Sequence, residues 1–156
     1  MEIQMNKKER TIITQFRKNA RENLTTASRK THIPVSTLYD HLKRYEGNII
    51  TRHAALLDFN QLGYSLKIQM VLKVKPIMRK KVEQFLLSNE QVNTLCIISN
   101  DYDFLIEVIL RDFKELTHFS RQLDSFDLID KHEFYVVDEL KKETFLTEDI
   151  FYDTTK

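Results

Sequence analysis

The sequence predicts an α+β chain of two modules: an amino-terminal winged or tri-helical helix-turn-helix domain, then a carboxy-terminal ferredoxin-like βαββαβ domain. Three observations predict it. Apolar residues recur at helical spacing in short capped segments before residue 47. Beyond residue 63 the pattern changes, and alternating strand-like runs are interleaved with helix-like ones. Charge divides the same way: residues 1–50 carry ten Lys or Arg against five Asp or Glu, net +5, and the remainder fourteen against eighteen, net −4.

In the first module Asn6 is placed to cap a helix whose apolar positions Ile12, Ile13 and Phe16 share a face, with Arg17, Lys18 and Arg21 near its end. Asn23 caps a second, short helix, LTTASRKT. His32-Ile33 makes a tight turn, and Pro34 marks the start of a third helix because its fixed φ suits a first turn. There Val35, Leu38, Leu42 and Tyr45 form the expected inward stripe, leaving Ser36, Thr37, Asp40, His41, Lys43 and Arg44 outside. Gly47-Asn48 ends the helix, since both residues tolerate a left-handed backbone. The following IITRHAALLD, residues 49–58, is expected as a wing-like pair or a strand leading away, and Asn60–Gly63 as a turn.

In the second module SLKIQMVLKVK alternates Leu66, Ile68, Met70, Leu72 and Val74 with more polar residues, as a strand with one buried face does. Pro76 introduces a helix carrying Val82, Phe85 and Leu86. VNTLCIIS and FLIEVIL read as two strands joined by Asn100-Asp101-Tyr102-Asp103. Asp112 caps a further helix with Leu116, Phe119 and Leu123 inward, and KHEFYVVDEL supplies the fourth strand. This order places both helices on one face of a four-stranded antiparallel sheet. The other face is left to solvent or a partner, which motivates oligomerisation. The expected boundaries are 1–50 for the helix-turn-helix domain, 51–63 for a linking strand and turn, 64–142 for the ferredoxin-like assembly and effector domain, and 143–156 for a tail. In that tail Phe145, Ile150 and Phe151 are apolar enough to pack on a neighbouring subunit or back onto their own domain.

Composition narrows the functional classes. The 42% hydrophobic and 30% charged content of the 156 residues suits a folded, soluble chain. No run reaches membrane-span length, and the opening MEIQMNKKER lacks the apolar core of a signal peptide, which favours the cytoplasm. Cys96 stands alone, so it offers no internal disulfide and reads as a small buried apolar residue. His32, His41, His53, His118 and His132 show no metal-ligand spacing, and no cofactor loop or acid–base pair is present. The expectation is a non-enzyme with no cofactor and no metal.

A basic tri-helical unit suits a polyanion. Ser36 and Thr37, at the leading end of the third helix, offer hydroxyls to phosphate or base edges, where the helix dipole also favours a phosphate. Asp40 can accept from a cytosine amine, His41 can meet a phosphate, and Lys43 and Arg44 can reach the flanking backbone. The expected partner is double-stranded DNA. A bland helical bundle with solvated basic faces fits the same residues.

Resemblance adds to this pattern. MNKKERTIITQFRKNAREN resembles the first helix of the Lrp/AsnC family of prokaryotic transcription regulators, with Glu9 in the usual Asp position. IPVSTLYDHLKRYEGNII resembles its recognition helix, Ser36-Thr37 matching a characteristic Ser-Thr pair, and TRHAALLDFNQLG resembles the linking strand ending in Leu62-Gly63. The βαββαβ order resembles the family's regulatory domain, so the likeness covers nearly the whole chain. It implies a sequence-specific regulator that binds DNA as a homodimer, assembling further, and in many relatives senses an amino acid. The chain departs from the pattern where Pro34-Val35 replaces a Ser-Pro opening and His32 a turn glycine. The loop Asn100-Asp101-Tyr102-Asp103 resembles the family's Gly-x-Tyr-Asp segment, with Asn for Gly. Asp101 and Asp103 could receive an amino group and Tyr102 could pack at a subunit contact, or the loop is a tight hairpin whose Asp residues satisfy backbone donors. An architectural protein that coats DNA with weak sequence preference, and an oligomeric metabolite-sensing module, are the competing readings.

Overall fold

The computed structural model describes residues 5–148, and its first helix begins at a capping box. The Asn6 side chain accepts from the Glu9 amide at 3.0 Å, and the Glu9 carboxylate accepts from the Asn6 amide at 3.0 Å. Two orphan donors are thereby satisfied reciprocally. Helix α1 spans Lys7–Lys18, which leaves Arg21 in the turn beyond it. Asn23 caps α2, Leu24–Thr31, by accepting from the Thr26 amide at 2.8 Å. His32 closes α2 in the left-handed conformation at φ 57°, the geometry for which a glycine is the usual choice. Helix α3 spans Val35–Tyr45 behind Pro34.

Ile12, Phe16, Ala27, Ile33, Leu38 and Tyr45 form the core of this unit, with Ile13, Leu24 and Leu42 packed against it. The inward stripe of α3 therefore differs from expectation at its start. Val35 is 41% exposed, and the buried place beside Leu38 is filled by Ile33 from the preceding turn. A first-turn residue points back over the turn N-terminal to it, so here it clears the core. Of Gly47-Asn48 only Gly47 adopts a positive φ, 73°, and Glu46 and Ile50 form an isolated bridge. No wing and no linking strand forms among the described residues, since 51–58 carries no regular structure and joins no ladder. A strand exists only as part of a ladder, and the apolar residues of 49–58 supplied the pattern without a partner. The turn at 59–63 does form, held by the Asp58 carboxylate accepting from the Asn60 amide at 3.1 Å and by Gly63 at φ 85°.

The second unit is a single antiparallel sheet of β1 (Leu66–Lys73), β2 (Val92–Ile97), β3 (Phe104–Leu110) and β4 (Asp130–Tyr135), in the spatial order β2-β3-β1-β4. Between β1 and β2 a 3₁₀ turn, Pro76–Met78, leads into α4, Arg79–Ser88. Asp112, accepting from the Lys114 and Glu115 amides, caps α5, Phe113–Asp124. Ile68, Met70 and Leu72 of β1 and Phe104, Ile106 and Val108 of β3 meet Val82 and Leu86 of α4 and Leu116, Phe119 and Leu123 of α5 in one core. Both helices thus cover one face of a ferredoxin-like sheet. The fourth strand is shorter than its sequence run: Val136 still donates to the Lys67 carbonyl at 2.9 Å, but Val137 is almost wholly exposed.

Across the uncovered face the register aligns Cys96, Leu105, Val71 and His132 in one row. Cys96 is exposed there, not buried. Its position in β2 is odd with respect to Leu95, which faces the helices, and alternation puts it on the open side. The described residues divide into two compact units, one of residues 5–55 together with 140–148, the other Leu56–Glu139. In the first, Arg17 pairs with Glu143 and donates to the Phe145 carbonyl at 3.3 Å. The Phe145 ring is exposed, and Ile150 and Phe151 lie outside the described residues.

Candidate nucleic-acid interface

The exposed residues of α3 are Val35, Ser36, Tyr39, Asp40, Lys43 and Arg44, of which the first five follow the i, i+1, i+4, i+5, i+8 spacing of a single helical face. Pro34 makes no side-chain cap, so the first amides of α3 are free to meet an external acceptor. Among the described residues Ser36, Thr37 and Asp40 make no side-chain hydrogen bond or ion pair. Thr37 is half-buried at the margin of the face, whereas Ser36 and Asp40 are exposed near its middle. Lys43 extends over the ring of Tyr39, its Nζ 6.0 Å from the centroid. Tyr39, 54% exposed, is the residue that sequence reasoning missed. Its signal was its spacing, four residues from both Val35 and Lys43.

His41 and Arg44 are engaged within the unit. An Arg44 Nη donates to the Glu9 carboxylate at 2.8 Å and stands 2.9 Å from His41 Nδ1. His41 Nδ1 is also 3.1 Å from the Tyr45 hydroxyl, while the Arg44 guanidinium lies 5.4 Å from the Tyr45 ring centroid. Glu9 is therefore both the last member of the α1 capping box and the anchor that fixes the C-terminal half of α3 against α1. The structure brings His41 and Arg44 together beside Glu9, and sets Ser36, Asp40 and Lys43 on the open face.

The Asn6 amide above all, helped by Tyr45 and Arg44, holds the Glu9 carboxyl below the ordinary carboxylate range. Lys30 does the same for Glu22 and Arg17 for Glu143. A depressed carboxyl adds stability that is complete above its unfolded pKa and is lost as pH falls through the folded one. The melting temperature of the helical unit is expected to decline on acidification from about pH 5 to about pH 3, and Glu9→Gln to decline less over that range because part of the loss has already occurred. Circular dichroism melts across the series check this; parallel curves for the two proteins would contradict it.

The Asn100–Asp103 loop separates the two acidic residues by role. Asn100 and Asp101 both take positive φ, 66° and 71°, which Asn and Asp tolerate better than other side chains. Asp103 accepts from the Val74 amide at 2.9 Å and from Arg79 at 2.8 Å. Asp101, its side chain 90% exposed, pairs with Lys73 at 3.8 Å. The Tyr102 hydroxyl donates to Asp130 at 3.0 Å, a bond that holds the Asp130 carboxyl below its ordinary range, and the Tyr102 ring meets His132 edge-on. Asp103→Ala is expected to destabilise the sheet unit by about 1–3 kcal/mol, because a part-buried amide loses its acceptor. Asp101→Ala is expected to change stability by less than about 0.5 kcal/mol. Urea unfolding of the two variants checks the pair, and equal losses would contradict this division.

Among the described residues no helix is long and apolar enough to cross a membrane, and no group of three or more His, Cys, Asp or Glu is placed to hold a metal ion. The geometry is that of a helix-turn-helix protein whose third helix presents a free face, joined to a one-sided sheet module. No family model matches the chain. It is 24% identical over 145 residues to the HTH-type transcriptional regulator FL11 of Pyrococcus abyssi, covering 92% of this chain and 96% of that protein. The transcriptional regulator NMB0573 of Neisseria meningitidis, solved as a complex with L-Met, superposes at a TM-score of 0.83 with 19% identity, over 89% of this chain and 94% of that one. AsnC of E. coli superposes at 0.80 with 18% identity, over 92% and 99%. The chain is a homologue of helix-turn-helix transcriptional regulators and has the Lrp/AsnC fold, as its motifs suggest.

Proposed function

We propose that the protein is a sequence-specific DNA-binding regulator of transcription, with residues 1–50 as reader and residues 64–142 as assembly and effector domain. The observation that carries this reading is the outward face of α3. It combines free first-turn amides, Ser36, Asp40 and Lys43 within the first fifty residues, which are net +5. Ser36 and Thr37 meet the DNA at the leading end, Asp40 accepts from a base amine, and Lys43 holds a phosphate. His41 and Arg44 fix the helix on Glu9, and Arg44 retains enough exposure to reach the backbone as well.

The open sheet face is the surface on which a second copy packs, giving a homodimer that assembles further and presents two reading helices to one duplex. An amino acid or a related small molecule is proposed to bind at the Asn100–Asp103 loop, with Asp101 receiving its amino group and Tyr102 lining the subunit contact. Asp103, already engaged, shapes the loop. The protein acts in the cytoplasm and catalyses nothing. Anisotropy titration of duplex fragments from its own genome against scrambled competitors, over a salt series and with each of the common amino acids added in turn, tests the reading. Fragment preference together with affinity that falls with salt is expected. Equal affinity for every fragment would point to a DNA-coating protein, and no affinity with any amino acid would sink the DNA reading.

A further inference from the structure

The outer face of α3 is not uniformly polar. Val35 and Tyr39, one turn apart, stand exposed side by side on it, although the core beneath is already filled by Ile33, Leu38 and Leu42. Tyr39 borders a surface hollow with Phe16, Leu24 and Leu42, yet more than half of it is exposed, and neither it nor Val35 belongs to the core. Lys43, one turn further on, lies over the Tyr39 ring, so the apolar strip is continued by a cation suited to phosphate and bordered on its outward side by Ser36 and Asp40. Asp40 carries a charge that phosphates repel, which turns this face toward base edges and away from the strand backbone.

The floor of the major groove offers one apolar group, the C5-methyl of thymine, among its donors and acceptors. We infer that Val35 and Tyr39 form the contact for a thymine methyl and are specificity-determining residues of the recognition helix. This inference rests on the DNA-reading function proposed above and deepens it by naming a base that the site selects. The Val35 methyls and the edge of the Tyr39 ring take the thymine methyl out of water, and Lys43 over the ring restrains its position while holding the flanking phosphate.

The test is selection of the full-length protein on a random duplex pool, followed by replacing each thymine of the enriched duplex in turn with deoxyuridine, which lacks only the methyl. At one thymine per half-site the wild-type protein is expected to lose about fourfold in affinity, the worth of one buried methyl group. Tyr39→Ala and Val35→Ala are expected to bind the thymine and deoxyuridine duplexes alike, while Tyr39→Phe keeps the difference. An enriched sequence whose deoxyuridine scan is flat for the wild-type protein would overturn the inference and leave the regulator reading standing. A methyl dependence unchanged in both alanine variants would overturn it too. A pool that enriches no sequence would remove the regulator reading and this inference with it.

Discussion

Leu38→Ala is expected to unfold the helical unit and abolish DNA binding while the sheet unit stays folded. Leu38 is fully buried at the junction of α1, α2 and α3, among Ile12, Phe16, Ala27, Ile33 and Tyr45. Truncating a buried leucine costs about 2–5 kcal/mol. A unit of some fifty residues has a total stability of roughly 3–7 kcal/mol, so the loss is comparable with the whole. Val35→Ala, on the same helix but exposed, is expected to change stability by less than about 0.5 kcal/mol. Hydrogen exchange separates the units: in Leu38→Ala, α1–α3 amides exchange rapidly while Phe104–Leu110 remains protected. Full protection of α1–α3 in that variant would contradict the assignment of Leu38 as their shared core.

Lys43→Glu is expected to weaken DNA binding by about 100-fold or more at low salt, on target and scrambled DNA alike. The substitution removes the proposed phosphate partner and would place a carboxylate beside the DNA backbone, and like charges set together at an interface cost several kcal/mol. Lys43→Ala isolates the attraction and is expected to lower the salt slope of binding by about one. Neither variant loses an internal ion pair, because among the described residues Lys43 contacts only the Tyr39 ring electrostatically. Arg44→Ala differs in kind, since it also frees Glu9 and loosens α3 from α1. A Lys43→Glu protein with unchanged affinity would remove α3 from the interface.

Most of the fold was legible because its signals are local. Asn6, Asn23 and Asp112 each sit where a short acceptor meets unpaired amides, and each caps the helix expected of it. The even positions Ile68, Met70 and Leu72 of β1, and Val74 just beyond it, face inward as their pattern requires. The expectations that failed concern burial by neighbours at a distance. Val35 satisfied the helical stripe, but Ile33 reached the core first. Cys96 was assigned by residue type, whereas its face is set by its parity in β2. The run 49–58 has strand-like composition, but beyond the single Glu46–Ile50 bridge no described strand pairs with it. At the site, Glu9 was visible only as a capping residue, since its bond to Arg44 joins positions 35 residues apart. Tyr39 went unassigned because an aromatic on a helix reads as core until its spacing is set against both neighbours.

On the proposed function, the open face of α3 reads specific DNA. Nuclease footprinting on fragments of the protein's own genome, its upstream region included, at near-physiological salt with excess scrambled competitor, tests it most directly. Discrete protected sites about one helical turn apart, roughly 34–36 Å, are expected for the wild-type protein and their loss for Lys43→Glu. Uniform coating of every fragment, or the same protected sites with Lys43→Glu, would contradict it.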